Sequence, residues 1–304
     1  MKKTLFAIAA ALLFCLGAAA QPLDVQKKNV ENFANVSAED YFVLKFIYSD
    51  TSSVTVRADL RISDYVQTYV KGGTLYLELD EKKFPKELKK ELKQKGAATP
   101  VLEADVYLPA INSVTLKDKA NLSILDGFNS NKINIDLTDN AEITQMYLDC
   151  SNAEFNVSKS AKLSGVVNIT SRLNIKVSNS GNVSLTQNGG NVFVEQAHSS
   201  YVDLRANVTT IEVESNGGSE SHLSGTASLL KVTGSGSSRV DAELLESLDG
   251  EVLLTGSKCH VNITENLKVT LTNGAMLTYK RKPVFDIVRI LNSTLITADD
   301  EKRK

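Results

Sequence analysis

Two glutamates are the best candidates for chemistry in this sequence. Glu195 and Glu214 each follow an apolar strand residue and lie one repeat apart in a chain that repeats about every 19 residues. Stacked strands lie about 4.8 Å apart, so their carboxylates are expected to approach to about 5 Å. Acids this close either repel each other or share a proton or cation. Glu195 and Glu214 are therefore a candidate metal site, although a solvated surface pair is the favoured interpretation.

The ion considered for this pair is calcium, which prefers oxygen ligands. The repeat register predicts Ser178 and Thr233 as the next residues along the stack, and both are weak ligands. No third acid is expected to complete a calcium cage.

The positions of the three histidines in the repeat do not indicate a catalytic arrangement. Nucleophilic catalysis needs a base aligned with its nucleophile. His198, His222 and His260 follow the reference residues of their repeats by four, nine and six positions, so we expect that they neither stack nor share a strand face. A histidine zinc site is disfavoured for the same reason. The segment GSGSS at 234–238 lacks the lysine and helix of a phosphate-binding loop. We predict no catalytic residue and no cofactor.

The elements that position these residues form a repeat from about residue 133 onwards. Apolar pairs with one residue between them recur in eight copies with a mean step of about 19 residues: Ile135/Leu137, Phe155/Val157, Ile175/Val177, Val192/Val194, Ile211/Val213, Leu230/Val232, Val252/Leu254 and Val269/Leu271. A second short strand follows each polar corner. This unit is too short for a propeller blade and lacks the leucine-rich-repeat signature. It predicts an all-β parallel β-helix, or β-solenoid, whose coils stack at the strand spacing.

The corners between the strands predict tight turns. SNSGN, TDNA, SKSA and TGSGSS are rich in residues that tolerate left-handed backbone, and stacked Asn and Ser are expected to form hydrogen-bonded ladders. Cys150 and Cys259 lie about five coils apart, or roughly 24 Å at the strand spacing. A disulfide needs Cα atoms within about 4.4–6.8 Å, so two free thiols are predicted.

The N-terminal part of the domain has a different pattern. YFVLKFIY, SVTVRADL, YVQTYV and TLYLEL, the last after Gly72-Gly73, predict short strands separated by turns. Residues 80–96 break this pattern. Phe84, Leu88 and Leu92 recur every four residues among lysines and acids, which predicts a short Lys-rich amphipathic helical insertion. We favour a solvated insertion across the end of a sheet over a binding element.

Both ends of the chain are set apart from the domain. Residues 1–20, MKKTLFAIAAALLFCLGAAA, have the charged start, apolar run and small-residue end of a secretory signal peptide, with cleavage expected before Gln21. Lipidation at Cys15 is disfavoured because bulky Phe14 precedes it. Residues 21–40 are an entry segment, 41–299 a single β-solenoid domain with regular coils over 133–280, and 300–304 a polar tail. No segment is long and apolar enough to cross a membrane.

The charge composition excludes nucleic acid as a partner. Removing residues 1–20 lowers the net charge from −2 to −4 because it removes two lysines and no acids. Nucleic-acid binding calls for a clustered basic face, so no nucleic-acid partner is predicted. Tryptophan is absent, and the apolar content comes mainly from Val, Ile, Leu and Ala, which suits thin repetitive packing.

The chain resembles the head GIN domain family of auto-transporter adhesins, which is common in exported proteins of Bacteroides-like bacteria. The resemblance runs from about Tyr41 to Asp299 and depends on the order of SVTVRADL, GGTLYLEL, VYLPAINSVTL and the tail GAMLTYKRKPVFDIVRILNSTLITAD. The segment LKDKANLSI departs from it, since the family usually has a Ser/Gly-rich phrase there. The resemblance implies a β-helix-like exported domain and supplies no catalytic residues.

Three functional hypotheses follow. The first is a non-catalytic, exported adhesin-like or envelope-interaction protein that binds a glycan or an extracellular protein through the faces of its solenoid. The second is a β-helix carbohydrate-active enzyme, a polysaccharide lyase or hydrolase, disfavoured because we expect no acid cluster beside a basic residue. The third is a structural envelope component that associates with copies of itself. In each case the protein is expected in the periplasm, at the cell surface or in the medium.

Overall fold

Successive coils of a β-solenoid make up most of the structure, a computed structural model that describes residues 22–298. It has about 10 turns of roughly 19 residues, which confirms the predicted fold class. The signal-peptide prediction and the polar tail lie outside the described residues.

The strands are β1 (Leu23–Asn29), β2 (Asn35–Ala38), β3 (Val43–Tyr48), β4 (Ser53–Asp59), β5 (Val66–Lys71), β6 (Thr74–Leu79), β7 (Leu102–Leu108), β8 (Ser113–Leu116), β9 (Asn121–Leu137), β10 (Glu142–Ser158), β11 (Lys162–Ser178), β12 (Asn182–Asn188), β13 (Asn191–Ala197), β14 (Tyr201–Ser215), β15 (Glu220–Ser235), β16 (Arg239–Thr255), β17 (Lys258–Thr272), β18 (Met276–Lys280), β19 (Val284–Leu291) and β20 (Thr294–Thr297).

Parallel pairing joins each coil to the next. Strand β10 pairs with β9 and β11, and the same pattern continues through β14, β15, β16 and β17. Most long strands bend midway, where the register shifts, so one strand supplies two sides of a coil. Inward side chains of all coils merge into one continuous apolar core. Outward side chains therefore form columns that run from coil to coil.

The predicted alternation is confirmed, but the predicted register is wrong at two steps. All sixteen residues of the predicted apolar pairs are buried. However, Val177 pairs with Gln196, and Val194 pairs with Ile175 instead. The compensating step is at Val232, which pairs with Val252. Side chains alternate with a period of two, so a shift of two residues leaves every residue on its predicted face.

Left-handed residues form the tight turn of each coil, as the corner composition predicted. One or two adjacent residues have positive φ at each of these turns: Asp139, Lys159, Ser160, Asn179, Ser180, His198, Ser199, Gly217, Gly218, Gly236, Gly256, Asn273, Gly274 and Asn292. The backbone N–H of Ser160 donates to Asn179 O on the next coil, and that of Ser180 donates to His198 O. The turns thus stack by hydrogen bonds between successive coils.

A polar ladder of amide side chains joins successive coils, at positions other than the corners where stacked Asn and Ser were predicted. Asn168 Nδ2 donates to Asp149 Oδ1 at 2.6 Å, and Asn188 Nδ2 donates to Asn168 Oδ1 at 3.3 Å. Asn207 continues the ladder to Asn188, and Thr226 Oγ1 donates to Asn207 Oδ1 at 3.2 Å. Each amide donates to one coil and accepts from the next, which uses both halves of the group.

A column of small residues follows the turns and was missed in the sequence. Its members are buried and lie one coil apart: Ala120, Ala141, Ala161, Gly181, Ser200, Ser219, Ser238, Ser257 and Ala275. At Gly181 the backbone of the preceding coil packs closely against this column. A Cβ on Gly181 would lie 2.5 Å from Val157 O, which leaves no room for a side chain. The recurrence of Ala, Gly and Ser at the repeat period was the available signal.

The N-terminal end of the solenoid is closed by antiparallel pairing. Strand β4 pairs antiparallel with β1 and β7, and β5 with β6. Gly72 and Gly73 both have positive φ in the two-residue β5–β6 turn, as a type I′ hairpin requires. Strand β2, inside the predicted entry segment, pairs in parallel with β6 and β8.

The Lys-rich insertion contains a short amphipathic helix, as predicted. Helix α1 (Lys86–Leu92) follows a 3-10 turn at Glu81–Lys83. Phe84 is buried, and Leu88 and Leu92 pack against the core. The Phe84 ring meets Tyr65 edge-on with centroids 5.0 Å apart. The helix is shorter than the predicted segment 80–96.

The C-terminal end of the solenoid exposes apolar residues. Among the described residues, β19 pairs only with β17, and β20 only with β18. The exposed side chains of β19 include Val284, Ile287, Val288, Ile290 and Leu291. An open strand edge with apolar side chains is a surface that other chains can pair with.

Cys150 and Cys259 lie on β10 and β17, with β11 to β16 between them, and both are free thiols. Burial raises the pKa of the Cys150 thiol to about 11 and that of the fully buried Cys259 further still. Because the thiolate is the reactive form, we expect neither thiol to react with a thiol reagent in the folded protein at about pH 8. Labelling with and without denaturant, followed by mass spectrometry, measures this. Labelling of Cys259 without denaturant would contradict it.

We expect Asp40 to make the stability of the protein depend on pH. It lies in the turn after β2 with φ +64°, and its carboxylate accepts a hydrogen bond from Leu79 N at 2.9 Å. Burial, with smaller contributions from nearby acids such as Glu81 and Asp118, raises its pKa from 3.8 to about 6. Between these values the folded chain holds a proton that the unfolded chain has lost. Stability from this group therefore falls as pH rises through that window.

We expect Asp40→Asn to stabilise the protein by about 1 kcal/mol at neutral pH, allowing for the half-exposed carboxyl. The asparagine tolerates positive φ and still accepts the hydrogen bond from Leu79 N. Near pH 4 the variant and the natural protein should have the same stability. Urea unfolding at both pH values measures the difference, and a less stable variant at pH 7 would refute this explanation.

Candidate functional site: the Asp–His ladder

The predicted glutamate pair lies together on the solenoid surface. Glu195 on β13 pairs with Glu214 on β14, and both side chains are exposed. The neighbour predicted beyond Glu214, Thr233, is in place. The neighbour predicted beyond Glu195 is wrong, because the corrected register puts Lys176 there instead of Ser178. The ammonium group of Lys176 pairs with Glu154 on the preceding coil, with Nζ 3.3 Å from Oε1.

The calcium site at Glu195 and Glu214 stays a prediction with a direct test. We expect millimolar calcium to raise the unfolding temperature, because only the folded chain holds the two carboxylates together. The rise should disappear in the Glu195→Gln/Glu214→Gln variant and persist in Glu212→Gln, which changes an acid on the same strand. An unfolding temperature of the natural protein that calcium leaves unchanged would rule out this site.

The expectation that the histidines neither stack nor share a face is wrong for two of them. His222 pairs with Asp203 on one side and Asp241 on the other, and Asp241 pairs with His260. Aspartate and histidine thus alternate over four successive coils. We call Asp203, His222, Asp241 and His260 the Asp–His ladder. His198 lies apart, exposed in a left-handed turn.

The ladder had a signal in the sequence. Each member follows the previous one by 19 residues, the mean length of the repeat. Measuring each histidine from an apolar reference residue concealed this spacing, because the references differ by two positions between coils. A direct search for chemically active residues at the repeat period would have found it.

Charged side chains surround the ladder. Glu220 Oε1 lies 3.1 Å from His222 Nε2, and Arg239 Nη2 lies 3.4 Å from Asp241 Oδ2. Glu243 lies two residues after Asp241, where β16 bulges, and its Oε1 lies 2.6 Å from Lys280 Nζ. The expectation that no acid cluster lies beside a basic residue is therefore wrong.

A groove runs along the ladder on the outer surface. Its volume is about 390 Å³. One part is polar, with ladder members Asp203, His222 and Asp241, and the remaining lining includes Tyr201 and Leu244. We call it the ladder groove. Tyr201 packs against His222 with ring centroids 5.5 Å apart, and Leu244 is 74% exposed. The groove thus combines an aromatic face, an apolar edge and several hydrogen-bonding groups.

A smaller cavity lies beyond the groove, along the same columns. It has a volume of about 140 Å³ and includes Glu243, His260, Thr278, Tyr279 and Lys280 in its lining. Glu243 lines both the ladder groove and this cavity, so the groove and the cavity adjoin.

No helix in the part of the chain that the structure describes is long and apolar enough to span a bilayer.

Comparisons with solved structures find similar proteins in the Bacteroidales. They include a "putative adhesin" from Parabacteroides merdae, at 15% identity over 91% of this chain and 96% of that chain with a TM-score of 0.47. A "putative lipid binding protein" from Parabacteroides distasonis has 14% identity over 91% and 96%, with a TM-score of 0.46. A "putative adhesin" from the same species has 16% identity over 92% and 98%, with a TM-score of 0.45. No curated protein matches the chain.

A family model provides the assignment. The model described as "Putative auto-transporter adhesin, head GIN domain" matches residues 32–189 and, in a second overlapping match, residues 165–283. Together the matches span more than half of the chain and include both the antiparallel N-terminal end and the Asp–His ladder. The chain therefore belongs to the head GIN domain family of auto-transporter adhesins.

Proposed function

We propose that the protein is a non-catalytic, exported adhesin-like protein that binds a glycan through the ladder groove. The observation that carries this proposal is the groove itself, with Tyr201 and Leu244 beside the carboxylates and imidazole of the Asp–His ladder. Ligand sites combine apolar walls with a few convergent polar groups, and this groove does so within the usual size range. Membership of the family supports the adhesin-like role.

The chemistry of the groove suits a sugar. A sugar ring has an apolar C–H face that packs on an aromatic side chain, and Tyr201 is half-buried with its ring held against His222. Sugar hydroxyls donate to carboxylates and accept from imidazole N–H groups, and Asp203, His222 and Asp241 provide these partners at the coil spacing. Columns that repeat along the solenoid match a ligand that also repeats, as a polysaccharide does.

Export is the second part of the proposal. The signal-peptide pattern of residues 1–20 supports it, and so does membership of an adhesin family. Periplasmic, cell-surface and secreted locations all fit this pattern. Cell fractionation with an antibody against the protein separates them.

A glycan array tests the proposed binding. We expect the natural protein to bind a defined set of glycans, and Tyr201→Ala to bind them at least tenfold more weakly because the stacking face is lost. Tyr69→Ala is the matched control, since Tyr69 is also partly exposed but stacks on Tyr76 in the β5–β6 hairpin. Failure of the natural protein to bind any glycan, or binding by Tyr201→Ala equal to the natural protein, would contradict the proposal.

A carbohydrate-active enzyme is a second candidate, and one observation favours it. Asp241, Glu243 and His260 lie together beside Lys280, which gives acids and bases close to a cation. Sugar hydrolysis and elimination both need such groups at the scissile bond. Assays on acidic polysaccharides with the natural protein and Asp241→Asn test it. Turnover that Asp241→Asn abolishes would replace the non-catalytic proposal.

Self-association as a structural envelope component is a third candidate, favoured by the exposed apolar surface of β19. Val284 and Val288 are 70% and 58% exposed there. Light scattering of the natural protein and of Val288→Lys tests it. A monomer at all concentrations would exclude this candidate.

A further inference from the structure

Three side chains at the end of the ladder groove form a compact set of metal ligands. Asp241 and Glu243 lie two residues apart on β16, and His260 on β17 pairs directly with Asp241. One ligand atom from each lies within 4.8 Å of the other two. Ligands of a zinc ion at bond lengths of about 2.0–2.2 Å lie a little over 3 Å apart. Small side-chain rotations would close the set around one ion.

An independent feature of the cavity points to a ligand at this place. Thr278 lies next to His260 on the following coil and lines the same cavity as Glu243 and His260. The residue is 3% exposed, and its Oγ1 has no hydrogen-bond partner among the described residues. Buried hydroxyls without partners are uncommon in native proteins. Oγ1 has almost no accessible surface, so a rotation of the Thr278 side chain would be needed to bring it to a metal-bound water in the cavity.

We propose that Asp241, Glu243 and His260 bind a divalent transition metal, with zinc as the best-fitting ion. An imidazole together with two carboxylates suits zinc, whereas calcium prefers a set made only of oxygens. Three protein ligands leave a fourth position open to water or to a ligand atom, as in catalytic zinc sites. The cavity beside Glu243 and His260, which Thr278 also lines, has room for that fourth ligand.

Two basic side chains, Lys280 and Arg239, would compete with a bound metal for the carboxylates. Lys280 Nζ lies 2.6 Å from Glu243 Oε1, and Arg239 Nη2 lies 3.4 Å from Asp241 Oδ2. Each cation contacts one oxygen of its partner. The second oxygen of Asp241 accepts a hydrogen bond from Glu243 N at 3.2 Å, and its other lone pair can bind a metal. Zinc binding should therefore become tighter when Lys280 loses its charge. A purely structural ion-pair cluster gives no reason for that change.

The ladder contains its own negative control. Asp203 and His222 pair as Asp241 and His260 do, and Glu220 lies beside His222, but among the described residues neither belongs to a set of three ligand atoms that all lie within 4.8 Å of one another. His222→Gln should therefore leave zinc binding unchanged, although it removes an imidazole from the same column.

Isothermal titration of zinc into the untagged, chelator-treated protein tests the proposal. We expect one equivalent to bind per chain. Glu243→Gln and His260→Gln should weaken binding at least tenfold, and Thr278→Val severalfold. Lys280→Met should tighten it severalfold, and His222→Gln should bind as the natural protein does. Circular dichroism of each variant before titration confirms the fold.

Two results would overturn the proposal. One is the absence of zinc binding by the natural protein, and the other is natural affinity in folded Glu243→Gln and His260→Gln. The proposal does not rest on glycan binding, because titration measures the metal alone. Zinc binding without glycan binding would contradict only the proposed function, and the reverse would contradict only the metal site.

Discussion

Gln187→Leu is expected to lower the free energy of unfolding by roughly 3–5 kcal/mol, because it removes a side chain that satisfies several backbone groups. Gln187 is fully buried at the corner between β12 and β13. Its Oε1 accepts from Ile169 N at 3.1 Å, and its Nε2 donates to Ile169 O at 2.8 Å and Gly189 O at 2.7 Å. Leucine has a similar volume but leaves these groups without partners. Each buried group left unpaired costs about 1–3 kcal/mol.

Denaturant unfolding followed by circular dichroism measures the loss. The matched control is Gln145→Leu, which makes the same change at an exposed position and should alter stability by no more than about 0.5 kcal/mol. Equal effects of the two variants would show that the corner does not depend on Gln187.

The second large effect is expected at Gly225, on β15. Its φ is +108°, and a Cβ there would lie 2.1 Å from Ala206 O on the preceding coil. Gly225→Ala therefore combines backbone strain with a clash against main-chain atoms that stacking holds in place. Strain and overpacking each cost about 1–3 kcal/mol, so we expect a loss of roughly 3–5 kcal/mol.

Gly274→Ala separates the two causes. Gly274 has φ +79°, but a Cβ there would meet nothing within 4 Å. That variant should lose only about 1–2 kcal/mol, the cost of the left-handed backbone alone. If Gly225→Ala loses no more than Gly274→Ala in thermal or denaturant unfolding, the close approach of the two coils is not a constraint on the fold.

Local patterns were sufficient to predict most of the architecture. The alternation in Ile175/Val177 and in Val192/Val194 predicted which residues are buried, and all are. The corner residues Asn179 and Ser180 predicted left-handed turns, and both have positive φ. These features depend on a few neighbouring residues, so local composition and spacing are sufficient to predict them. The amphipathic insertion around Phe84 and Leu88 was predictable for the same reason.

The candidate site was predicted less well because it depends on register. Glu195 and Glu214 were correctly predicted as neighbours, since they lie within two adjacent regular coils. Lys176 was missed as the neighbour of Glu195, because pairing Val177 with Val194 made that coil two residues too short. The same kind of error, at the step from Val232 to Val252, concealed that His260 lies in the same column as His222. Thr278 could not have been found, because its burial depends on neighbouring coils that cover an outward position.

Residue patterns alone were enough to predict the all-β class, the repeat of about 19 residues, the inward faces and the turn chemistry. Which outward residues meet depends on the folded structure, and so does the site where Asp203, His222, Asp241, Glu243 and His260 come together. This difference follows from the two-residue period of a strand. A shift of two residues keeps every apolar side chain in the core, so hydrophobic pattern cannot distinguish the registers. Only the stacking of whole coils, with their bulges and unequal corners, selects one.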